Sequence, residues 1–139
     1  MYPDEIVNPC RDELTQIGFE ELRTASEVQT AIEGESGTML LVVNSVCGCA
    51  AGSARPAVRL ALEHSTIPDR IVTVFAGVDT EATAKARSYM TGRTPSSPAI
   101  ALFKNGQLAY MLDRHMIEGR EPESIAKDVK KAFDKHCGE

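Results

Sequence analysis

An apolar run that leads into two closely spaced cysteines is the feature that most restricts how this chain can fold. Residues 39–43 read Met-Leu-Leu-Val-Val, which is typical of a buried strand, and Cys47 and Cys49 follow with one glycine between them. A helical stretch then extends to about His64, and Pro56 is expected to kink it or to mark its regular start. The pattern therefore predicts a pair of thiols at a strand-to-helix turn.

A thiol at the beginning of a helix is suited to redox chemistry. The helix N-terminus carries unpaired N–H groups and a partial positive charge, which favour the thiolate that attacks disulfides. Cys47 comes first in the turn and is the candidate nucleophile, with Cys49 as the candidate resolving thiol. A disulfide closed across one residue is distorted, which raises its reduction potential. We therefore expect a weaker reductant than a Cys-x-x-Cys protein, suited to isomerisation or to removing a small thiol cap.

The overall composition limits the classes of function. A chain of 139 residues with 42% hydrophobic residues suits one domain, predicted over residues 1–139. The net charge of -5 argues against nonspecific nucleic-acid binding. No apolar run approaches the roughly 20 residues of a membrane helix. The first residues lack a secretory signal pattern, so we expect a cytoplasmic location, where thiols are kept reduced.

Helices and strands alternate along the chain. Strands are predicted at residues 19–23, 38–44, 70–76, 99–104 and 107–112. A first helix is predicted after an Asn8 cap, with Pro9 in the first position, and a second after a capping box of Ser26 and Gln29. Three more helices are predicted after the cysteines, at residues 81–90 and from Pro122. The Asn105-Gly106 pair suits a type I′ hairpin between the last two strands. This order predicts an α/β fold with a mixed sheet, in which a central parallel crossover is joined by an antiparallel hairpin and helices cover both faces.

Three elements of this pattern resemble the thioredoxin superfamily. They are the pair of thiols after an apolar strand, the Val78-Asp79 pair at the end of the next strand, and residues 98–106, which read Pro-Ala-Ile-Ala-Leu-Phe-Lys-Asn-Gly. The last string is similar to the cis-proline strand and hairpin of thioredoxins. The resemblance implies a thioredoxin-like fold over about residues 19–137, with Pro98 in cis and facing the thiols. The chain departs from thioredoxins in having Cys-x-Cys and in lacking their buried aspartate in the strand at residues 38–44.

Within that superfamily the chain is most similar to the bacilliredoxins, small cytoplasmic proteins with a Cys-Gly-Cys motif. The similarity is carried by residues 45–52, 95–98 and 114–119, which read SVCGCAAG, PSSP and RHMIEG. Members reduce mixed disulfides between proteins and the low-molecular-weight thiol bacillithiol, and they have disulfide isomerase activity. The resemblance implies a thiol–disulfide oxidoreductase that acts on proteins carrying mixed disulfides. It implies bacillithiol as co-substrate, and we expect no other cofactor and no metal. The charge and hydropathy noted above lead us to expect no nucleic acid and no membrane as partner.

The resemblance also implies residues that contact the substrate. Ser97 and Pro98 would form an edge on which an extended substrate chain docks, and Gly48 lies between the two thiols. Arg114 and His115 are expected to end the last strand, near the loop that flanks the active site in thioredoxins. Arg114 is a candidate partner for carboxylates of a small thiol, and His115 is a candidate proton shuttle. A solvated strand end is the competing interpretation for both of these residues.

Other function classes stay open at this point. Cys47, Cys49 and Cys137, with His115 or His136, would supply ligands for a metal or iron–sulfur site, although zinc sites usually show paired Cys-x2–4-Cys clusters. A non-catalytic binding module with a thioredoxin fold is the other alternative. A peroxiredoxin-like peroxidase is disfavoured because the sequence context typical of its thiol is absent. Cys137 otherwise reads as an incidental exposed thiol, or as a third redox partner if the last helix lies near Cys47. Cys10 reads as a core residue of the first helix.

Overall fold

A five-stranded mixed sheet forms the centre of the protein, in a computed structural model that describes residues 2–34, 36–93 and 95–138. The strands are β1 (Glu20–Glu21), β2 (Thr38–Asn44), β3 (Arg70–Phe75), β4 (Ala99–Lys104) and β5 (Gln107–Leu112). Their spatial order is β1-β3-β2-β4-β5. The β1 and β2 strands pair with β3 in parallel, whereas β4 pairs antiparallel with both β2 and β5. The predicted mixed sheet, with its parallel and antiparallel parts, is confirmed.

Strand β2 is central and is covered on both faces. All seven of its residues are buried, which explains why its sequence is a continuous apolar run and does not alternate. Its residue Val42 pairs with Thr73 of β3 on one side and with Ile100 of β4 on the other. The strand that leads to the cysteines is therefore paired on both sides and buried on both faces.

Helices lie on both faces of the sheet, as predicted. Their bounds are α1 (Asp4–Thr15), α2 (Ala25–Glu33), α3 (Arg55–Ala61), α4 (Thr80–Ser88) and α5 (Pro122–His136). Leu14, Val58 and Phe133 bring α1, α3 and α5 into one apolar cluster, while Ile32 and Ala86 bring α2 and α4 into the other. In the described ranges, no helix has the length and apolar character that crossing a membrane requires.

The first helix begins earlier than predicted. The expected Asn8 cap is wrong, since α1 begins at Asp4 and contains Pro9 in its interior. Proline has no N–H for the carbonyl of Glu5, but Glu5 is exposed, so water can take that hydrogen bond. The expectation for Cys10 is corrected as well, because its side chain is only half-buried and its thiol donates to the carbonyl of Ile6 at 3.4 Å.

The second helix also begins before the predicted position. Its capping box is formed by Thr24 and Glu27, not by Ser26 and Gln29. The Thr24 hydroxyl accepts the N–H of Glu27 at 3.1 Å, and the Glu27 carboxylate accepts the N–H of Thr24 at 3.3 Å. The pairs Ser26/Gln29 and Thr24/Glu27 both have the spacing of a capping box, but both hydrogen bonds form in the Thr24/Glu27 pair.

The hairpin between β4 and β5 has the predicted geometry. Asn105 and Gly106 have φ values of 53° and 80°. A type I′ turn needs positive φ at both positions, and Asn-Gly is the pair that tolerates it best. The hairpin brings the end of β5 back to the edge of the sheet where β2 also ends.

Candidate active site

Cys47 lies at the N-cap of a helical segment. Strand β2 ends at Asn44, and helical backbone begins at Gly48. The carbonyl of Cys47 accepts the N–H groups of Ala50 and Ala51, both at 3.1 Å. The predicted strand-to-helix turn is therefore present, with the first thiol in the capping position.

The helix after the cysteines begins with a π-helical turn, which the sequence did not indicate. The turn covers Ala50–Ala54, and the N–H of Arg55 donates to the carbonyl of Ala50, five residues back. Pro56 has no N–H for the carbonyl of Gly52, so a regular α-helical ladder cannot run through this point. Regular α-helix then starts at Arg55, which agrees with the expectation that Pro56 marks the regular start. Single π turns are frequent at functional sites.

The local environment favours the thiolate of Cys47. Burial by itself raises the pKa of this half-buried thiol. Hydrogen bonds from the Ser45 hydroxyl, at 3.2 Å, and from the N–H groups of Ala50 and Cys49 act in the opposite direction, as does the charge of Arg114. Together they hold the pKa of Cys47 below its ordinary value. These contacts favour the anionic form of Cys47, which is the form of a thiol that can attack a disulfide.

The environment of the second thiol, Cys49, favours the protonated form. Burial and the negative charge of Cys47 raise the pKa of Cys49, and Glu118 raises it further, while Arg114 lowers it. The Cys49 sulfur donates to the Glu118 carboxylate at 3.7 Å. The two cysteines of the motif thus differ in protonation, with Cys47 tending to the thiolate and Cys49 to the neutral thiol.

Arg114 lies beside both sulfurs, but not at the end of a strand. The expectation that it ends the last strand is corrected, because β5 stops at Leu112 and Arg114 begins a short 3₁₀ turn. Its guanidinium donates to the Glu118 carboxylate at 3.3 Å and to the carbonyl of Ser97 at 3.4 Å. The backbone N–H of Arg114 donates to the Ser96 hydroxyl at 3.1 Å. These contacts connect the turn after β5 with the loop before β4.

A pocket of about 170 Å³ lies beside Cys47. It is lined by Tyr2, Ser45, Val46, Cys47, Ala76, Gly77, Ser97 and Arg114. Three predicted site residues, Cys47, Ser97 and Arg114, therefore meet at one cavity. The lining combines the cation of Arg114 and three side chains that carry a hydroxyl with apolar side chains, which suits a small polar molecule.

The other predicted site residues lie around this pocket and not in its lining. The Ser97–Pro98 peptide bond is cis, as expected, and Pro98 is buried. Gly48 is exposed, and apart from its chain neighbours and its own helix no atom of the described residues would lie within 4 Å of a Cβ at this position. His115 is exposed. Neither Gly48 nor His115 is among the residues that line the pocket.

Cys137 lies far from the other thiols. It is half-buried at the end of α5, where burial raises its pKa and the side chain of Thr38 is its hydrogen-bonding partner. Thr38 opens β2, whereas Cys47 follows the opposite end of the same strand, roughly 20 Å away at about 3.3 Å per residue. The proposed ligand set of Cys47, Cys49 and Cys137 is therefore not assembled, and Cys137 is not placed to act as a third redox partner. Among the described residues, no cluster of three or more His, Cys, Asp or Glu side chains is arranged to hold a metal ion.

Several residues of the site were not singled out from the sequence. Ser45 contacts Cys47 from two positions away, and a hydroxyl just before an N-cap thiol is a local signal that could have been used. Glu118 contacts Cys49 from 69 residues away. The buried Arg55 donates to the side-chain oxygen of Asn44 at 2.9 Å. Pairings of this kind depend on the fold and have no local signature.

Comparisons with known proteins agree with this geometry. Residues 2–137 match the disulphide isomerase family. The chain is 52% identical over 138 residues to a bacilliredoxin of Koribacter versatilis, with 99% of this chain and 95% of the relative covered. It is 53% identical over 137 residues to a bacilliredoxin of Bacillus licheniformis, with 98% and 95% covered.

Solved structures show the same fold at low sequence identity. A thioredoxin of Fasciola hepatica superposes with a TM-score of 0.59 at 18% identity, covering 85% of this chain and 99% of that one. The thioredoxin-like domain of an Arabidopsis protein, NCP, superposes with a TM-score of 0.60 at 16% identity, covering 86% and 79%. The fold is therefore the thioredoxin fold, as the sequence resemblance implied.

Proposed function

This chain belongs to the disulphide isomerase family of thiol–disulfide oxidoreductases, and we propose from that premise that it removes bacillithiol from mixed disulfides on proteins in the cytoplasm. The observation that carries the proposal is the Cys47 thiol, which caps a helix, accepts a hydrogen bond from Ser45 and opens on a pocket for a small polar molecule. The names of the curated relatives support bacillithiol as the small thiol.

The proposed reaction begins with attack by the Cys47 thiolate on the bacillithiol sulfur of the mixed disulfide. A Cys47–bacillithiol disulfide forms, and the target protein leaves as a thiolate. Cys49 then loses its proton and attacks the Cys47 sulfur, which closes a Cys47–Cys49 disulfide and releases bacillithiol as a thiolate. The two cysteine sulfurs are oxidised by two electrons in total, and the mixed disulfide is reduced by two.

The pocket beside Cys47 is proposed to hold the small thiol. Arg114 supplies a cation that pairs with its carboxylates, and Ser97 lies next to it. The loop that contains Ser97 and cis-Pro98 is proposed as the edge on which the target chain docks, with Gly48 leaving the approach to the sulfur open. Cys47 and Cys49 are the proposed catalytic pair.

The proposal is tested by trapping the first intermediate. The Cys49→Ser variant is incubated with a protein that carries a bacillithiol cap, and the products are analysed by mass spectrometry. We expect a bacillithiol adduct on Cys47, because the group that would displace it has been removed. The matched control is the variant in which both Cys47 and Cys49 are serine. An adduct found equally in that control, or no adduct in either variant, would contradict the proposed function.

The role of Arg114 is tested with two different caps. We expect Arg114→Ala to raise the KM about fivefold for a protein that is capped by a thiol with carboxylates. This is the effect expected from losing one charge-assisted hydrogen bond to a half-exposed arginine. The KM for the same protein capped by neutral 2-mercaptoethanol should change little. Steady-state kinetics with both substrates provide the measurement, with an added dithiol reductant that returns the Cys47–Cys49 disulfide to two thiols. Arg59→Ala, which replaces an exposed arginine on α3, is the control. An equal change for both caps would show that Arg114 does not recognise carboxylates.

A further inference from the structure

The second thiol of the motif is engaged by a carboxylate and not by its partner cysteine. The Cys49 sulfur donates to Glu118 at 3.7 Å. Cys49 has helical backbone angles, φ -65° and ψ -35°. Side chains two positions apart on a helical backbone do not face each other. Before Cys49 can attack Cys47, it must therefore leave the carboxylate and lose its proton.

Within the part of the chain that the structure describes, three charged groups act on the Cys49 sulfur. Glu118 and the Cys47 thiolate both disfavour ionisation of Cys49, and Arg114 favours it. Arg114 is also paired with Glu118 at 3.3 Å, so part of its charge is offset. Once Cys47 carries a cap it is no longer an anion. Glu118 then remains as the negative charge beside the resolving thiol.

We propose that Glu118 holds Cys49 as a neutral thiol and thereby delays the step in which Cys49 displaces the small thiol from Cys47. This inference rests on the proposed function of Cys47. It makes Glu118 a positioning residue that sets the lifetime of the capped enzyme. During that lifetime a second thiolate can attack the cap on Cys47, which forms a disulfide between the cap and the second thiol and returns Cys47 as a thiolate. Glu118 thus favours transfer of the cap to another thiol over closure of the Cys47–Cys49 disulfide.

A neutral aromatic disulfide separates the two chemical steps. In a full-length chain whose Cys10 and Cys137 are replaced by alanine, 2,2′-dipyridyl disulfide reacts first with Cys47 and releases one pyridinethione. Attack by Cys49 on the capped Cys47 then releases the second pyridinethione. The first phase depends on reagent concentration and the second does not, so stopped-flow absorbance measures both rates. The neutral probe avoids a charge of its own beside Arg114 or Glu118.

The expected effect of Glu118→Gln is a faster second phase. At neutral pH we expect the rate of the second phase to rise about two- to fivefold. A change of this size is expected when one interaction between half-exposed charged groups is removed. Concentrated salt should accelerate the second phase of the original chain and should affect the variant less, because salt screens an exposed charge. The matched control is Glu63→Gln, which removes the same charge from an exposed position after α3, roughly 20 Å along the helix from Cys49.

The pH profile provides a readout that a purely structural role would not change. The second phase follows the ionisation of Cys49, so its midpoint should lie at lower pH in Glu118→Gln than in the original chain. A second phase that is unchanged or slower in the variant, or that is absent from both proteins, would overturn the role of Glu118. Loss of the first phase in the original chain would instead remove the proposed function itself, and this inference with it.

Discussion

Replacement of Cys47 by serine is expected to lower the rate of small-thiol release from a capped protein by more than about a thousandfold, because the nucleophile itself is removed. A serine hydroxyl does not form an anion at neutral pH, whereas the Cys47 thiolate is favoured by Ser45 and by the N–H groups of Ala50 and Cys49. The rate is measured as release of the cap from a capped protein under single-turnover conditions. The Cys49→Ser variant is the control, and it should retain the first transfer.

The pH dependence of that rate has a defined sign. The thiolate attacks, so the rate rises as pH increases through the pKa of Cys47. Because this pKa is lowered, the rate of the original chain should reach half of its maximum below about 8.5, the ordinary value of a cysteine thiol. A midpoint at or above that value would contradict the activation of Cys47 by its position at the helix.

The parts of the fold that the sequence predicted correctly are those set by short-range rules. The β4–β5 hairpin was predicted to the residue, because Asn105-Gly106 is a pair that meets the positive φ values of its turn and apolar strands flank it. Strand β2 was predicted equally well, because a short apolar run that leads into a turn is typical of a strand buried on both faces.

The error at the first helix arose because tertiary packing outweighed a local signal. Asn8-Pro9 is a good start for a helix, yet α1 begins at Asp4 because Val7, Arg11 and Leu14 all pack inward along one continuous helical face. Pro9 lies on the exposed side of α1, where water can satisfy the carbonyl group that loses its backbone hydrogen bond. Tertiary packing of this kind is invisible in a window of a few residues.

The sequence located the two thiols of the candidate site, but it did not reveal the side chain that contacts the second thiol. The sequence indicated Cys47 and Cys49 and their unequal roles, and the family resemblance added Arg114 and Ser97. It did not indicate Glu118, because the contact between Glu118 and Cys49 joins the turn after β5 to the start of a helix 69 residues earlier. Spacing along the chain carries no information about such a contact.

The second large effect is expected at Arg55, which is buried below the turn that presents Cys47. Its guanidinium donates to the side-chain oxygen of Asn44 at 2.9 Å, to the carbonyl of Ser45 at 2.7 Å and to the Glu13 carboxylate at 2.9 Å. The Arg55 side chain is only 3% exposed, so substitution leaves buried acceptors without a donor. We expect Arg55→Met to lower the free energy of unfolding by about 3 kcal/mol. Urea denaturation gives this value, with Arg59→Met as the exposed control on the same helix.

The same substitution should also weaken the nucleophile, although Arg55 has no hydrogen bond to the sulfur among the contacts described. Asn44 accepts the N–H of Ser45 at 2.9 Å, and Ser45 in turn donates to Cys47 at 3.2 Å, so Arg55 fixes the hydroxyl that favours the thiolate. In Arg55→Met the pKa of Cys47 should rise, and alkylation of Cys47 by iodoacetamide at neutral pH should become slower. If the protein loses stability but keeps an unchanged pH profile of alkylation, Arg55 supports the fold alone and the position of Ser45 does not depend on it.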